Sequence, residues 1–271
     1  MEDLPIRSLA VQRSALQSGA LIPLQTELLP WPEQRFQLRR LLSATPKHLG
    51  KAGPKPNPFR PWDRRLEVAS LPEHVVLLNK YPVQTGHLLL ISRSWQAQAD
   101  WLQAADWDAL CQVWAQQPGF WFFNSSAAAG ASQPHRHLQL LPRDPGQAPC
   151  PLAYEFDALA QGQPPCQQWQ HSVAARQLTT TPTPTELDSW YQELSAELDV
   201  GQSNRDGCPQ HPYNLLLSKQ WMVMVRRRKE HHVGFSVNAL GFAGYLLATK
   251  HSDLDWLRGR GGDALLDCVS L

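Results

Sequence analysis

Six apolar runs, none longer than seven residues, set the frame for this chain: Val75–Leu78, His87–Ile91, Phe120–Phe123, His135–Leu141, Tyr213–Ser218 and Trp221–Arg226. Runs this short, bounded by Pro, Gly, Asn or Lys, read as buried strands, because a helix needs ten or more residues to bury a face. The chain must therefore fold around a sheet. Residues Asn79 to Gly86 separate the first two runs as paired strands, and Lys219-Gln220 joins the last two as a hairpin.

Helical rhythm lies around these runs. Ile6 to Ala20 sets Leu9, Val11, Leu16 and Leu21 in helical spacing, and Glu33 to Leu42 after Pro32 predicts a second helix. Gln98 to Gln116 predicts a third, with Trp107 and Trp114 seven apart on one face and Pro118-Gly119 as its stop. Thr185 with Asp188 resembles an N-cap pairing for a helix carrying Leu187, Trp190, Leu194 and Leu198, and Ser252 is expected to cap a last one. Repeated prolines make Lys51 to Trp62 an extended loop, and much of Arg143 to Pro184 reads as connector. The expected class is α+β: a mixed or antiparallel sheet with flanking helices and elaborated N- and C-terminal regions. Residues 1–184 and 185–271 are expected to form one compact unit.

Composition removes several function classes. Apolar residues make up 42% and charged residues 18% of 271, the profile of an ordinary soluble fold large enough to need no metal or disulfide staple. A net charge of +1 argues against bulk attraction to nucleic acid or anionic membrane, so neither is expected as a partner and any phosphate site must be local. The five cysteines (Cys111, Cys150, Cys166, Cys208, Cys268) form no C-x-x-C pair, which fits a reducing cytoplasm better than a disulfide framework or thiolate zinc site. His231-His232 is only a loose metal candidate, and no metal site is expected. The run Arg226-Arg227-Arg228-Lys229 reads as a solvated edge, or one side of a polyphosphate site, ahead of a nucleic-acid patch. The 11 Trp read chiefly as core, each indole N–H needing a partner, and Cys111 as a packing residue.

Chemistry concentrates between Asn124 and Gln139. On a strand His135, His137 and Gln139 share one face while Arg136, Leu138 and Leu140 share the other, and three polar groups on one buried face are costly unless used. Taken alone, two strand histidines are better read as hydrogen-bonded core residues or part of a metal site. The Gln139 spacing and the small-residue loop upstream reverse that reading. Its backbone N–H groups can approach an oxyanion, with Asn124, Ser126 and Ser132 adding side-chain donors.

The stretch resembles the histidine-triad superfamily, and its Gly-Ala-Ser-Gln-Pro-His-x-His-Leu-Gln form is similar to the diadenosine tetraphosphate phosphorylases, also called ATP adenylyltransferases. Four further segments resemble that family in the same order: Lys55 to Phe59, Leu77 to Val83 with His87 to Leu90, Tyr213 to Leu217, and Val237 to Gly244. The resemblance implies a histidine-triad-like core and phosphorolysis of diadenosine tetraphosphate with inorganic phosphate to ATP and ADP. His137 would be the nucleophile, His135 would hold the site by hydrogen bonding, and Gln139 would contact phosphate oxygen. By likeness to galactose-1-phosphate uridylyltransferases, Asn124 and Ser132 would hold phosphate. Lys51, Asn79, Lys80, Ser126, Gln133, Asn238, Ala239, Leu240 and Tyr245 are expected to line the nucleotide site, with Lys250 as a polyphosphate contact. No covalent cofactor is implied, though Mg²⁺ could accompany the nucleotide. Two other readings stand beside this one: a nucleotidyl hydrolase or transferase acting on another dinucleotide or sugar nucleotide, and a non-catalytic nucleotide sensor.

Overall fold

A computed structural model of the chain describes residues 3–32, 35–43, 57–144, 146–164, 172–178, 181–203 and 205–271. In chain order the elements are α1 (Leu4–Gln17), β1 (Thr26–Leu28), β2 (Gln37–Leu41), β3 (Glu67–Ser70), β4 (His74–Leu78), β5 (Leu88–Ser92), α2 (Ala104–Trp114), β6 (Gly119–Asn124), β7 (His137–Pro142) and α3 (Ala153–Ala160). They continue with β8 (Val173–Gln177), α4 (Pro184–Glu197), β9 (Tyr213–Leu217), β10 (Trp221–Arg226), β11 (His231–His232), β12 (Phe235–Ser236), α5 (Ala239–Phe242), β13 (Tyr245–Ala248), α6 (Leu254–Arg260) and α7 (Gly262–Asp267).

The six apolar runs become six strands of one eight-stranded sheet, ordered β3-β4-β5-β7-β6-β9-β10-β8 and antiparallel throughout. Both faces are covered, which is why these strands are apolar at nearly every position instead of alternating with polar residues. On one face Leu138 and Leu140 pack with Leu88, Leu90, Trp121 and Phe123 against residues of α1, α2 and α4. On the other, Phe120, Phe122, Leu141 and Leu216 meet Phe156 of α3, Phe242 of α5, and Leu265 of α7. A smaller cluster, Val75, Leu77, Leu89 and Ile91 beneath Phe59, completes that second face. His137 and Gln139 lie on the second face, pointing away from Leu138 and Leu140. No helix among the described residues is long and apolar enough to cross a membrane.

Several expectations are corrected. The described part of Glu33 to Leu42 is not helical. Gln37–Leu41 is β2, held antiparallel to β1 and parallel to β13, so strand partners distant in sequence override local rhythm. Helix α1 forms but turns a different face inward: Leu4, Ser8 and Ala15 are buried, whereas Leu9 and Leu16 are 58% and 43% exposed. Helix α2 begins only at Ala104, and Trp101 lies in the preceding segment with its indole N–H donating to the Asp206 carbonyl at 2.9 Å. The stretch from Arg143 to Pro184, much of it expected as connector, also carries α3 and β8. Helix α4 starts two residues early, because the backbone N–H of Thr183 donates to Glu186 Oε2 at 2.8 Å and Glu186 N–H donates back to Thr183 Oγ1 at 3.3 Å. Asp253 caps α6 in place of Ser252, accepting from Trp256 N–H at 2.8 Å. The indole N–H groups of Trp31, Trp114 and Trp121 have no hydrogen-bond partner among the described residues, so the expectation that each N–H finds one does not hold for these three.

Candidate active site

Strand β7 enters the sheet between β5 and β6, with His137 opposite Ile91 and Gln139 opposite both Leu89 and Phe122. At its start Gln98, from the segment before α2, acts as a clamp. Its Oε1 accepts from His137 N–H at 2.8 Å, and its Nε2 donates to the carbonyls of Asn124 at 2.7 Å and His137 at 3.2 Å. The β6 and β7 ends are thus held together where their direct pairing has stopped.

The protonation of the histidines follows from fixed backbone groups. Asn57 Oδ1 accepts from Phe59 N–H at 2.9 Å, so Asn57 Nδ2 must be the donor to His135 Nδ1 at 2.9 Å. His135 Nε2 then carries the proton and donates to the Ser92 carbonyl at 2.8 Å. The carbonyl of His135 in turn accepts from His137 Nδ1 at 2.8 Å. A carbonyl cannot donate, so the His137 proton resides on Nδ1 and the lone pair on Nε2, which makes no hydrogen bond among the described residues. Burial disfavours the charged ring and pushes the His137 pKa down to about 4, against the opposing pull of the His135 carbonyl. Phe59 roofs both rings, with centroids 5.7 Å from His135 and 5.6 Å from His137.

A second chain of the same kind orients Gln139. Asn79 Oδ1 accepts from Tyr81 N–H at 3.1 Å, its Nδ2 donates to His87 Nδ1 at 3.1 Å, and His87 Nε2 donates to Gln139 Oε1 at 3.0 Å. The Gln139 amide nitrogen is left as a donor on the face that carries His137. His87 is a site residue the sequence reading passed over as the start of a strand. Burial holds its pKa at about 4 as well, with the Gln139 bond opposing, so it too is neutral near pH 7. Alternation alone puts residues 87, 89 and 91 on one side of their strand, but that this side meets Gln139 follows only from the pairing register, which sets Leu89 opposite it.

The loop between β6 and β7 is tied down by Arg227. This residue is fully buried, so the reading of the basic run as a solvated edge holds for the exposed Arg228 and Lys229 and is corrected for Arg227. Its guanidinium donates to Asn214 Oδ1 and to the carbonyls of Ala129 at 3.3 Å, Lys229 at 2.8 Å, Val237 at 2.9 Å and Val269 at 3.2 Å. Five acceptors and the face of Phe242 at 4.8 Å solvate the cation in place of water. Asn214 Nδ2 donates to the Ala129 carbonyl and to Asn124 Oδ1, each at 2.8 Å, and Asn124 Oδ1 also accepts from Ala239 N–H at 2.9 Å. The Asn124 oxygen is thereby spent and its amide nitrogen is the group offered to a ligand. Gly130 closes the turn at φ +88°, where an added Cβ would lie 2.5 Å from the Asn238 Cβ. That close approach requires glycine and brings Asn238 against the loop.

The expected site residues thus divide. His135, His137, Gln139, Asn79, Asn124, Asn238 and Ala239 belong to linked hydrogen-bond chains or close contacts around β7. Ser126 is half-buried in the loop, Ser132 is exposed there, and Gln133 is buried with its Oε1 unpartnered. Lys80 follows Asn79, its ammonium 5.7 Å from the Tyr81 ring. Leu240 N–H is used by Asn238 Oδ1 as the cap of α5. The Tyr245 hydroxyl accepts from Arg143 Nη2 at 3.0 Å, just past the end of β7 away from His137. Lys250 is exposed after β13, with no hydrogen bond or ion pair to the described residues around His137. Lys51 lies outside the described residues.

On the opposite face of β7, Arg136 is locked by Asp106 at 2.6 Å, and Asp106 also accepts from His74 Nε2 at 2.9 Å. All three side chains are 1% exposed. The backbone that presents His135 and His137 is therefore anchored from behind by a buried ion pair. Among the described residues no group of three His, Cys, Asp or Glu is placed to hold a metal ion.

Comparison with known proteins agrees with this architecture. Protein APA1 of Saccharomyces cerevisiae is 28% identical over 284 residues, covering 89% of this chain and 85% of that protein. Diadenosine 5',5'''-P1,P4-tetraphosphate phosphorylase 2 of the same yeast is 26% identical over 217 residues, covering 68% and 64%. The fold is similar to the crystal structure of yeast Ap4A phosphorylase Apa2, with a TM-score of 0.75 at 21% identity over 100% of this chain and 98% of that one. Its complex with Ap4A gives 0.74 at 19% identity, with the same coverage. Residues 2–157 match the family model for the Ap4A phosphorylase N-terminal domain and residues 165–271 that for the ATP adenylyltransferase C-terminal domain, so the chain belongs to this family of nucleotidyltransferases.

Proposed function

We propose that the protein cleaves diadenosine tetraphosphate by phosphorolysis, releasing ATP and then ADP, through an adenylyl group carried on His137. The observation that carries this reading is the neutral, buried His137, with its Nδ1 proton on the His135 carbonyl and its Nε2 lone pair free beside the Gln139 amide. Nε2 attacks the α-phosphorus, a bond from phosphorus to Nε2 forms, and the bridging P–O bond breaks with its electron pair leaving on ATP. The ring becomes cationic while bonded, and its Nδ1–H faces a carbonyl dipole that stabilises that charge. Gln139 Nε2 and Asn124 Nδ2 are preorganised donors for the phosphoryl oxygens, an arrangement worth several kcal/mol in a site closed to water. An oxygen of inorganic phosphate then attacks the same phosphorus, ADP departs, and the imidazole returns to its starting state.

Mg²⁺, where required, is assigned to the polyphosphate of the substrate, whose oxygens suit a hard cation. The reaction is assigned to the cytoplasm, which accords with free thiols at Cys111, Cys150, Cys208 and Cys268. Product analysis tests the reading. Diadenosine tetraphosphate should yield ATP plus ADP only when phosphate is present; AMP plus ATP without phosphate would identify a hydrolase, and binding without turnover a sensor. His137→Asn should fold normally yet take no radiolabel from adenosine-labelled substrate. Equal labelling of the variant would remove His137 as nucleophile.

A further inference from the structure

The groups around His137 are of two chemical kinds. On one side is the Asn79–His87–Gln139 chain, made of amides and a neutral imidazole. On the other, around His135, the structure gathers an aromatic face and a cation. Trp95 is 49% exposed, and its ring stands edge-on to the His135 ring with centroids 5.3 Å apart. Arg60 lies in the turn that supplies the roof, its N–H donating to the Asn57 carbonyl at 3.3 Å, directly after Phe59 and within four residues of the Asn57 that binds His135. Arg60 is exposed and has no ion-pair partner among the described residues. Beyond Trp95 opens a cavity of about 260 Å³ bordered also by Gln96, Ala97, Asp100, Gln103 and Arg136.

Large aromatic side chains are normally withdrawn from water, and Trp107, Trp121 and Trp221 of this chain are fully buried. A half-exposed indole on one side of His135, with the Arg60 charge also felt at that ring, matches what a nucleoside polyphosphate offers: a π-face and a chain of anionic oxygens. Glutamine amides such as those of Gln96 and Gln103 suit the hydrogen-bonding edge of adenine, which presents one donor and one acceptor side by side.

We infer that Trp95 and Arg60 form the subsite for the departing half of the dinucleotide, Trp95 stacking on its adenine and Arg60 contacting its phosphates. This assignment rests on the phosphorolysis proposed above, in which the two halves of a nearly symmetric substrate need different surroundings. The retained adenylyl group lies by Gln139 and the Asn79 chain; the half that leaves as ATP lies by His135. Trp95 is then a specificity-determining residue, selecting leaving groups that carry a base.

Two reactions of the same His137 separate this role from simple support of His135. Phosphorolysis of diadenosine tetraphosphate uses the departing half. Exchange of radiolabelled phosphate into ADP uses the same adenylyl-histidine with phosphate alone as leaving group, so no second base is involved. Trp95→Ala and Arg60→Ala are each assayed in both reactions, with Trp95→Phe as the conservative control. The expected result is a kcat/KM for the dinucleotide lowered about fivefold or more relative to any loss in exchange, from the range of base-stacking energies, with Trp95→Phe recovering most of it. Equal losses in both reactions would show that Trp95 only props His135, and no loss in either would show that the indole meets nothing; each overturns the inference. Absence of exchange in the unaltered protein would remove the covalent route and this subsite with it, a result distinct from any pattern among the variants.

Discussion

Acid is the perturbation that separates this site from an ordinary pair of histidines. His137 and His87 are both buried, and burial holds each pKa at about 4. The unfolded chain binds the same protons near pH 6.5. Protons therefore favour the unfolded state: the stabilising contribution is complete above about pH 6.5 and is lost progressively as the pH falls towards 4. At pH 5 each ring costs about 2 kcal/mol relative to pH 7, so the pair costs about 4 kcal/mol and lowers Tm by roughly 10 °C in a chain of this size. Activity should behave differently. Single-turnover release of ATP without phosphate reads the first step alone, and its kcat/KM should stay level from pH 7 to pH 5, because the nucleophile is still neutral at pH 5. Thermal melts and single-turnover assays across that range, the latter run well below Tm, measure both. An acid limb centred near pH 6.5 would refute the desolvated nucleophile, and a Tm that does not fall between pH 7 and pH 5 would refute the burial of the pair.

Further outcomes follow from the packing. Gly130→Ala puts a Cβ 2.5 Å from that of Asn238 at φ +88°, so a loss of about 1–2 kcal/mol from the backbone alone and a raised KM are expected in melts and steady-state assays. Asp106→Asn leaves Arg136 buried without its carboxylate and should cost about 3–5 kcal/mol in urea denaturation; a cost below 1 kcal/mol would mean that β7 is not anchored from behind.

The second strand face shows how far the sequence carries. The alternation His135, His137, Gln139 held because both faces of β7 are covered, so side-chain direction is fixed by period two and by nothing more distant. The same period continues from β10, where Trp221, Val223 and Val225 join the core and Arg227 is next in step. Its burial was therefore legible, but three charged neighbours masked it, and the acceptors that solvate it come from Ala129, Asn214, Val237 and Val269, far apart in the chain. The order of motifs located the histidines and Asn79, whereas the link through His87 to Gln139 needed strand register. Residues Gln37–Leu41 were misread for the opposite reason: a strand whose partners are β1 and β13 leaves little mark on its own rhythm.

The adjacency of β6 and β9 has a consequence for how the chain is made. Their pairing joins the segment matched by the N-terminal family model to the one matched by the C-terminal model, in the middle of the sheet. A chain ending near residue 157 would present β6, Phe-Trp-Phe-Phe at its centre, as an open edge able to recruit another chain. During synthesis that edge waits for its partner: the about 90 residues from Asn124 to Tyr213 take roughly 5–18 s to emerge. A first half expressed alone should therefore aggregate through that edge, and coexpressed halves should remain soluble only where each finds the other.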